Sequence, residues 1–286
     1  MRKLIALLPV LAAALAIGIV PAGAITDGQP DGEGHSYVGL MVAKNDDGVP
    51  LWRCSGTLLS STIFLTAGHC TEAPAAEIEI WFDSGFPNPI PLGAGYPALG
   101  PNPCAGITGY PCTGDATGTP FGHPDYDPNA FYLHDLGVVV LDEPEVKSEY
   151  GVLPQLNQLD SLEKGGKKDV TFTAVGYGLQ KSFPDAAAWK NVALRTRMVA
   201  YPKLIQINRG IVGDFSILLS NNAHTGGTCF GDSGGPNFIG MSNVIAGVTS
   251  FGRNSTCAGT GGVYRVDKAD DLNWLATFGI TPPPAS

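Results

Sequence analysis

The chain has 286 residues, 44% of them hydrophobic and 15% charged, with 38 glycines and 23 prolines. That length supports one large or two small cores, and so many turn formers favour short strands over a helical bundle. A formal net charge of −9 argues against nucleic acid or an anionic membrane surface as a partner.

Met1 to Ala24 reads as a secretory signal peptide. Arg2 and Lys3 supply a positive start, residues 4–20 an apolar run, and Ala22-Gly23-Ala24 a small-x-small cleavage site. Cleavage there leaves Ile25 at the head of the mature chain, and no other stretch is long and apolar enough to span a bilayer.

Short apolar or alternating runs then recur between turn signals. They fall at Val38–Ala43, Thr57–Leu59, Ile63–Thr66, Glu77–Phe82 and Leu136–Leu141 in the first half. Val170–Val175, Leu194–Val199, Phe215–Leu219, Val244–Val248 and Val263–Val266 follow in the second. Glu77-Ile78-Glu79-Ile80 alternates with the period of two that a half-buried strand requires. The pattern is all-β and suits a sandwich as well as a barrel. Gly85 to Asn129 is dense in proline and glycine and reads as an inserted surface excursion. Near the end, Asp270 and Asp271 precede Leu272 and Leu275 and Gly279 follows, the signature of a short terminal helix.

Three blocks carry chemistry. In Gly227-Thr228-Cys229-Phe230-Gly231-Asp232-Ser233-Gly234-Gly235-Pro236, a serine is set among glycines that let backbone N–H groups face a developing oxyanion. A serine needs a base and a group that orients the base. Leu65-Thr66-Ala67-Gly68-His69-Cys70 offers the histidine, and His134-Asp135-Leu136-Gly137 the carboxylate. The glycine-serine block also fits a G-x-S-x-G elbow, but that arrangement needs a histidine after the serine, and the last one here is His224. His134 reads as a packing or surface residue, and His35, His123 and His224 have no motif around them. Six cysteines in a secreted chain suggest three disulfides, and the spacing leaves all 15 pairings open. No C-x-x-C or H-x-x-x-H spacing points to a metal.

The order His69, Asp135, Ser233, in these three blocks, resembles the chymotrypsin/trypsin-like serine endopeptidases over roughly Ile25 to the C-terminus. The resemblance implies two antiparallel six-stranded β-barrels around a cleft. Residues 25–148 would carry His69 and Asp135; residues 149–286 would carry Ser233, the specificity pocket and the terminal helix. It implies Ser233 as nucleophile, His69 as base, Asp135 as orienter, and the N–H groups of Gly231 and Ser233 as oxyanion donors. It also implies the pairs Cys54–Cys70 and Cys229–Cys257, which leaves Cys104 with Cys112, a pair outside the family's usual bridges.

Substrate would be bound by Gly227, Thr228, Ser250, Phe251, Gly252 and Gly262, with Gly227 at the pocket base and Gly252 and Gly262 on its walls. No carboxylate stands at the base, so a large apolar or aromatic residue before the scissile bond is expected. The mature Ile25 ammonium would pair with Asp232 and hold the serine turn in shape. The expected protein is a secreted monomer that acts on protein or peptide substrates, is open to protein inhibitors, and needs no cofactor and no metal. Two other readings share the sequence: an inactive homologue kept as a binding protein, and an esterase of small acyl esters.

Overall fold

The computed structural model describes residues 25–87, 114–130, 132–163 and 170–284. The signal segment, Cys104 and Cys112 lie outside these residues. The first half contributes β1 (Gln29–Pro30), β2 (Val38–Lys44), β3 (Pro50–Leu58), β4 (Ile63–Thr66), β5 (Glu77–Trp81), β6 (Ala116–Gly122) and β7 (Gly137–Leu141). Strands β2 to β7 close an antiparallel barrel in the order β2-β3-β4-β7-β6-β5. Alternation fills it: Leu40, Val42, Phe64, Ile78, Ile80 and Val138 are fully buried in one cluster. Glu79, on the outward phase of β5, is nonetheless covered, because Lys44 pairs with it and the Gly114 N–H donates to its Oε1 at 2.6 Å.

Glycine- and proline-rich sequence hid one strand. The stretch read as a surface excursion contains β6, a full member of the barrel paired to both β5 and β7.

The second half gives β8 (Phe172–Gly176), β9 (Met198–Ala200), β10 (Leu204–Ile207), β11 (Ser216–Asn221), β12 (Pro236–Ile239), β13 (Ile245–Gly252) and β14 (Gly259–Arg265). Its sheet runs β1-β9-β8-β12-β13-β14-β11-β10. Leaving aside the two-residue β1, the ends of this order are β9 and β10, which follow one another in the chain around Pro202, a residue with no N–H to give a ladder. Counted as one strand bent at Pro202, they bring a six-strand sheet back on itself, with β1 as a short appendage. The all-β double-barrel architecture expected from the sequence is the one observed. Helix α1 (Ala269–Ala276) closes the chain, burying Leu272 and Leu275.

Two stitches fix one barrel against the other. Fully buried Arg197 reaches from β9's approach to Asp31 (Nε to Oδ2, 3.0 Å) and donates to the carbonyls of Val38 and Phe82 and to the Tyr177 hydroxyl. Closer to the serine turn, Ser55 of β3 donates its N–H to the Ser233 carbonyl at 2.7 Å and its hydroxyl to the Gly231 carbonyl at 2.9 Å. The Arg197 bonds to Val38, Phe82 and Tyr177 are buried, so losing one partner there strands the other without water.

Candidate active site

His69 sits in a single 3-10 turn, Gly68–Cys70, directly after β4. Three features fix it. Cys70 is bridged to Cys54 on β3, Tyr126 packs against Gly68, and Asp135 takes its main-chain N–H at 3.0 Å. Both carboxylate oxygens of Asp135 also lie 3.0 Å from His69 Nδ1. Asp135 is fully buried just ahead of β7, and Ser250 Oγ on β13 donates to its Oδ2 at 2.5 Å. Burial pulls the His69 pKa down, but the Asp135 charge and hydrogen bond, with Glu72 behind them, outweigh it and leave the pKa raised. With Nδ1–H held by the carboxylate, Nε2 is the free, basic nitrogen.

Ser233 lies in the turn between Cys229 and β12. Gly231 has φ +96°, open to glycine alone among ordinary residues. Gly234, at φ +77°, presses on the histidine's side of the cleft: a Cβ there would sit 2.0 Å from Thr66 Oγ1 and 2.7 Å from the Ala67 nitrogen. Asp232 faces inward, fully buried, accepting from the N–H groups of Gly178 at 2.7 Å and Cys229 at 2.8 Å. Burial pushes its pKa up to about 7, against those bonds and the Arg53 charge. The serine turn is thus packed against Ser55 on β3 and against Thr66 and Ala67, the residues just ahead of the histidine's turn. No hydrogen bond joins Ser233 to His69 among the described residues, and such bonds commonly tighten only when substrate is bound.

Beside Ser233 opens a cavity of about 150 Å³ walled by Thr228, Phe230, Ser250, Phe251, Gly252 and the Cys229–Cys257 disulfide. Among the described residues, no ionisable side chain lines it. A void of this size takes a benzene-sized group. Two of the expected substrate contacts, Gly227 and Gly262, do not line it. Asn221 fills the space in front of Gly227, and the Phe251 ring lies 2.4 Å from where a Gly262 Cβ would stand. Sequence reading missed Asn221, whose side chain ties Thr26 to the Thr228 carbonyl, and Ser55, which ties the barrels together. Neither has a local motif.

At the chain's described start, Ile25 is fully buried among Ala174, Met198 and Ala200, and Thr26 pairs with Gly227. The residue expected to become the new N-terminus therefore lies buried against β8 and β9 of the second half.

Two barrels, a histidine–carboxylate pair on one and a serine turn on the other define a class of two-barrel serine-peptidase folds. A family profile described as Trypsin matches residues 113–272, more than half of the chain, and the chain belongs to that family. It is 27% identical over 227 residues to CLIP domain-containing serine protease B14 of Anopheles gambiae, covering 70% of this chain and 56% of that protein. It is 28% identical over 232 residues to serine protease 7 of Drosophila melanogaster, covering 78% and 56%. The chain thus spans a little over half the length of these relatives. A solved structure of HL collagenase superposes with a TM-score of 0.62 at 19% identity, over 92% of this chain and all of that one, a likeness of fold. Among the described residues, no helix is long and apolar enough to cross a membrane.

Proposed function

We propose that this chain is a secreted serine endopeptidase that cleaves peptide bonds through an acyl-enzyme intermediate on Ser233. The observation carrying this reading is the His69–Asp135–Ser250 chain of hydrogen bonds, with the Ser233 turn packed against the same strand end. Nε2 of His69 takes the Ser233 proton as Oγ attacks the carbonyl, and the imidazolium that forms is held by Asp135. The oxyanion is met by the N–H groups of Gly231 and Ser233, each worth about 10²–10³ in rate. Collapse breaks the peptide bond and His69 gives its proton to the leaving amine. Water, deprotonated by the same nitrogen, then frees the acyl group.

The acyl side lies along Ser250-Phe251-Gly252, where β13 offers its backbone as an added strand. The uncharged 150 Å³ cavity favours Phe, Leu, Met or Tyr before the scissile bond, because Lys or Arg would be buried without a counter-charge. Residues 25–148 and 149–286 act as the two barrel domains of a monomer, secreted by removal of residues 1–24. Freeing Ile25 in its buried position supplies an ammonium for Asp232 and fixes the Gly231–Ser233 turn. Digestion of a peptide library tests the reading: cuts after large apolar residues support it, and cuts mainly after Lys or Arg, or none, refute it.

A further inference from the structure

Behind Asp135 lies a second cluster that the hydrolytic reading does not use. His134 has φ +51° and its carbonyl accepts from the Leu136 N–H at 2.7 Å, a tight turn that swings the His134 and Asp135 side chains apart. His134 Nδ1 points at helix α1, 3.3 Å from Asp270 Oδ2, yet it is buried and makes no hydrogen bond. A ring nitrogen of His134 and oxygens of Asp270 and Asp271 all lie within 4.8 Å of one another.

We propose that His134, Asp270 and Asp271 bind a divalent transition-metal ion of the zinc class, one residue from Asp135. One imidazole with two carboxylates is a donor set for zinc, cobalt or nickel, whereas calcium and magnesium take oxygen ligands. Zinc bonds of about 2.1 Å set tetrahedral edges of about 3.4 Å, which the His134–Asp270 pair already meets, with Asp271 offering an oxygen within 4.8 Å.

Supporting groups orient two of the ligands. Asp271, fully buried, accepts from the Tyr264 hydroxyl at 3.0 and 3.1 Å. The His123 ring stacks on His134 with centroids 4.9 Å apart. His123 Nδ1 accepts from the Asp125 N–H at 3.2 Å, so its Nε2 carries the proton, 4.0 Å from Asp271. That makes His123 a support for the site. Such outer contacts are what hold metal ligands in place.

An ion has a way in. His134 and Asp270 are 29% and 49% exposed and border an open cavity of about 420 Å³, room for a water as fourth ligand. Asp214 adds negative charge to that cavity, while Lys268, also on its wall, is drawn to Asn157 and Asp160.

Calorimetric titration of the full chain, freed of metal, with Zn²⁺ tests the site, and Co²⁺ absorption reports its geometry. His134→Asn keeps a residue that tolerates positive φ, and Asp270→Asn changes a half-exposed position, so both should fold. The expected result is one ion per chain, four-coordinate cobalt bands, and loss of both in either variant, with Tyr264→Phe weakening binding about tenfold. No binding up to millimolar Zn²⁺, or unchanged affinity in both variants, would overturn the proposal.

Discussion

Ser250 on the second barrel donates its hydroxyl to Asp135 on the first at 2.5 Å, so the carboxylate behind the histidine is held from both sides of the cleft. Replacing Ser250 by alanine leaves a buried carboxylate oxygen short of a donor, at a cost of about 1–3 kcal/mol. Steady-state kinetics on Ser250→Ala should show kcat/KM lowered about 10- to 100-fold with the circular dichroism spectrum unchanged. Full activity would mean that Asp135 does not depend on the far barrel.

The acid limb of the pH–rate profile should report His69. Only the neutral imidazole can take the serine proton, and its pKa is raised because Asp135 outweighs burial. Activity is therefore lost as pH falls through a value above 6.5. In Asp135→Asn the burial effect loses its main opponent, so the limb should move to lower pH while kcat drops by about 10⁴. An unmoved limb would assign it to another group.

Asp232 gives a stability slope with pH that release of Ile25 should remove. With residue 24 still attached, the folded pKa of about 7 lies above the unfolded carboxylate value of about 3.9. The folded state then binds the extra proton, so stability is highest at low pH and falls as pH rises through about 7. Denaturant midpoints across that range should show the fall in the uncleaved chain and its absence in Asp232→Asn. The cleaved chain, in which the proposed Ile25 ammonium would pair with the carboxylate, should lose the slope as well.

Gly234 has no room for a side chain. Gly234→Ala places a methyl against Thr66 and Ala67 and forces alanine to φ +77°. Backbone strain alone costs about 1–3 kcal/mol, and the clash adds to it, so thermal unfolding should drop by several degrees and activity should be lost.

Pocket chemistry can be inverted at Thr228. Thr228→Asp places a carboxylate on the cavity wall, and cleavage should shift from Phe and Leu towards Lys and Arg in competing peptide substrates. The same change at Gly227 would instead collide with Asn221, 2.4 Å from its Cβ position.

What the sequence disclosed was what it encodes locally. Gly68-His69-Cys70, His134-Asp135 and Gly231-Asp232-Ser233 are contiguous, and their order alone separates this fold from the α/β elbow. Helix α1 was legible from its acids and final glycine. Strands β6, β10 and β12 were not, since Ala116–Gly122 is rich in glycine and Pro236–Ile239 opens on proline; their pairing partners, far along the chain, decide for strand. The same holds for Ser55, Asn221 and Arg197, whose partners lie up to 195 residues away, and for His134, whose partners on α1 follow it by more than 130 positions.

The most direct measurement is peptide mapping after treatment with a phosphonofluoridate, which reacts with a hydroxyl only when a neighbouring base activates it. A single adduct per chain is expected, located on Ser233 and absent from His69→Ala. An unlabelled protein, or an adduct on any other residue, would contradict it.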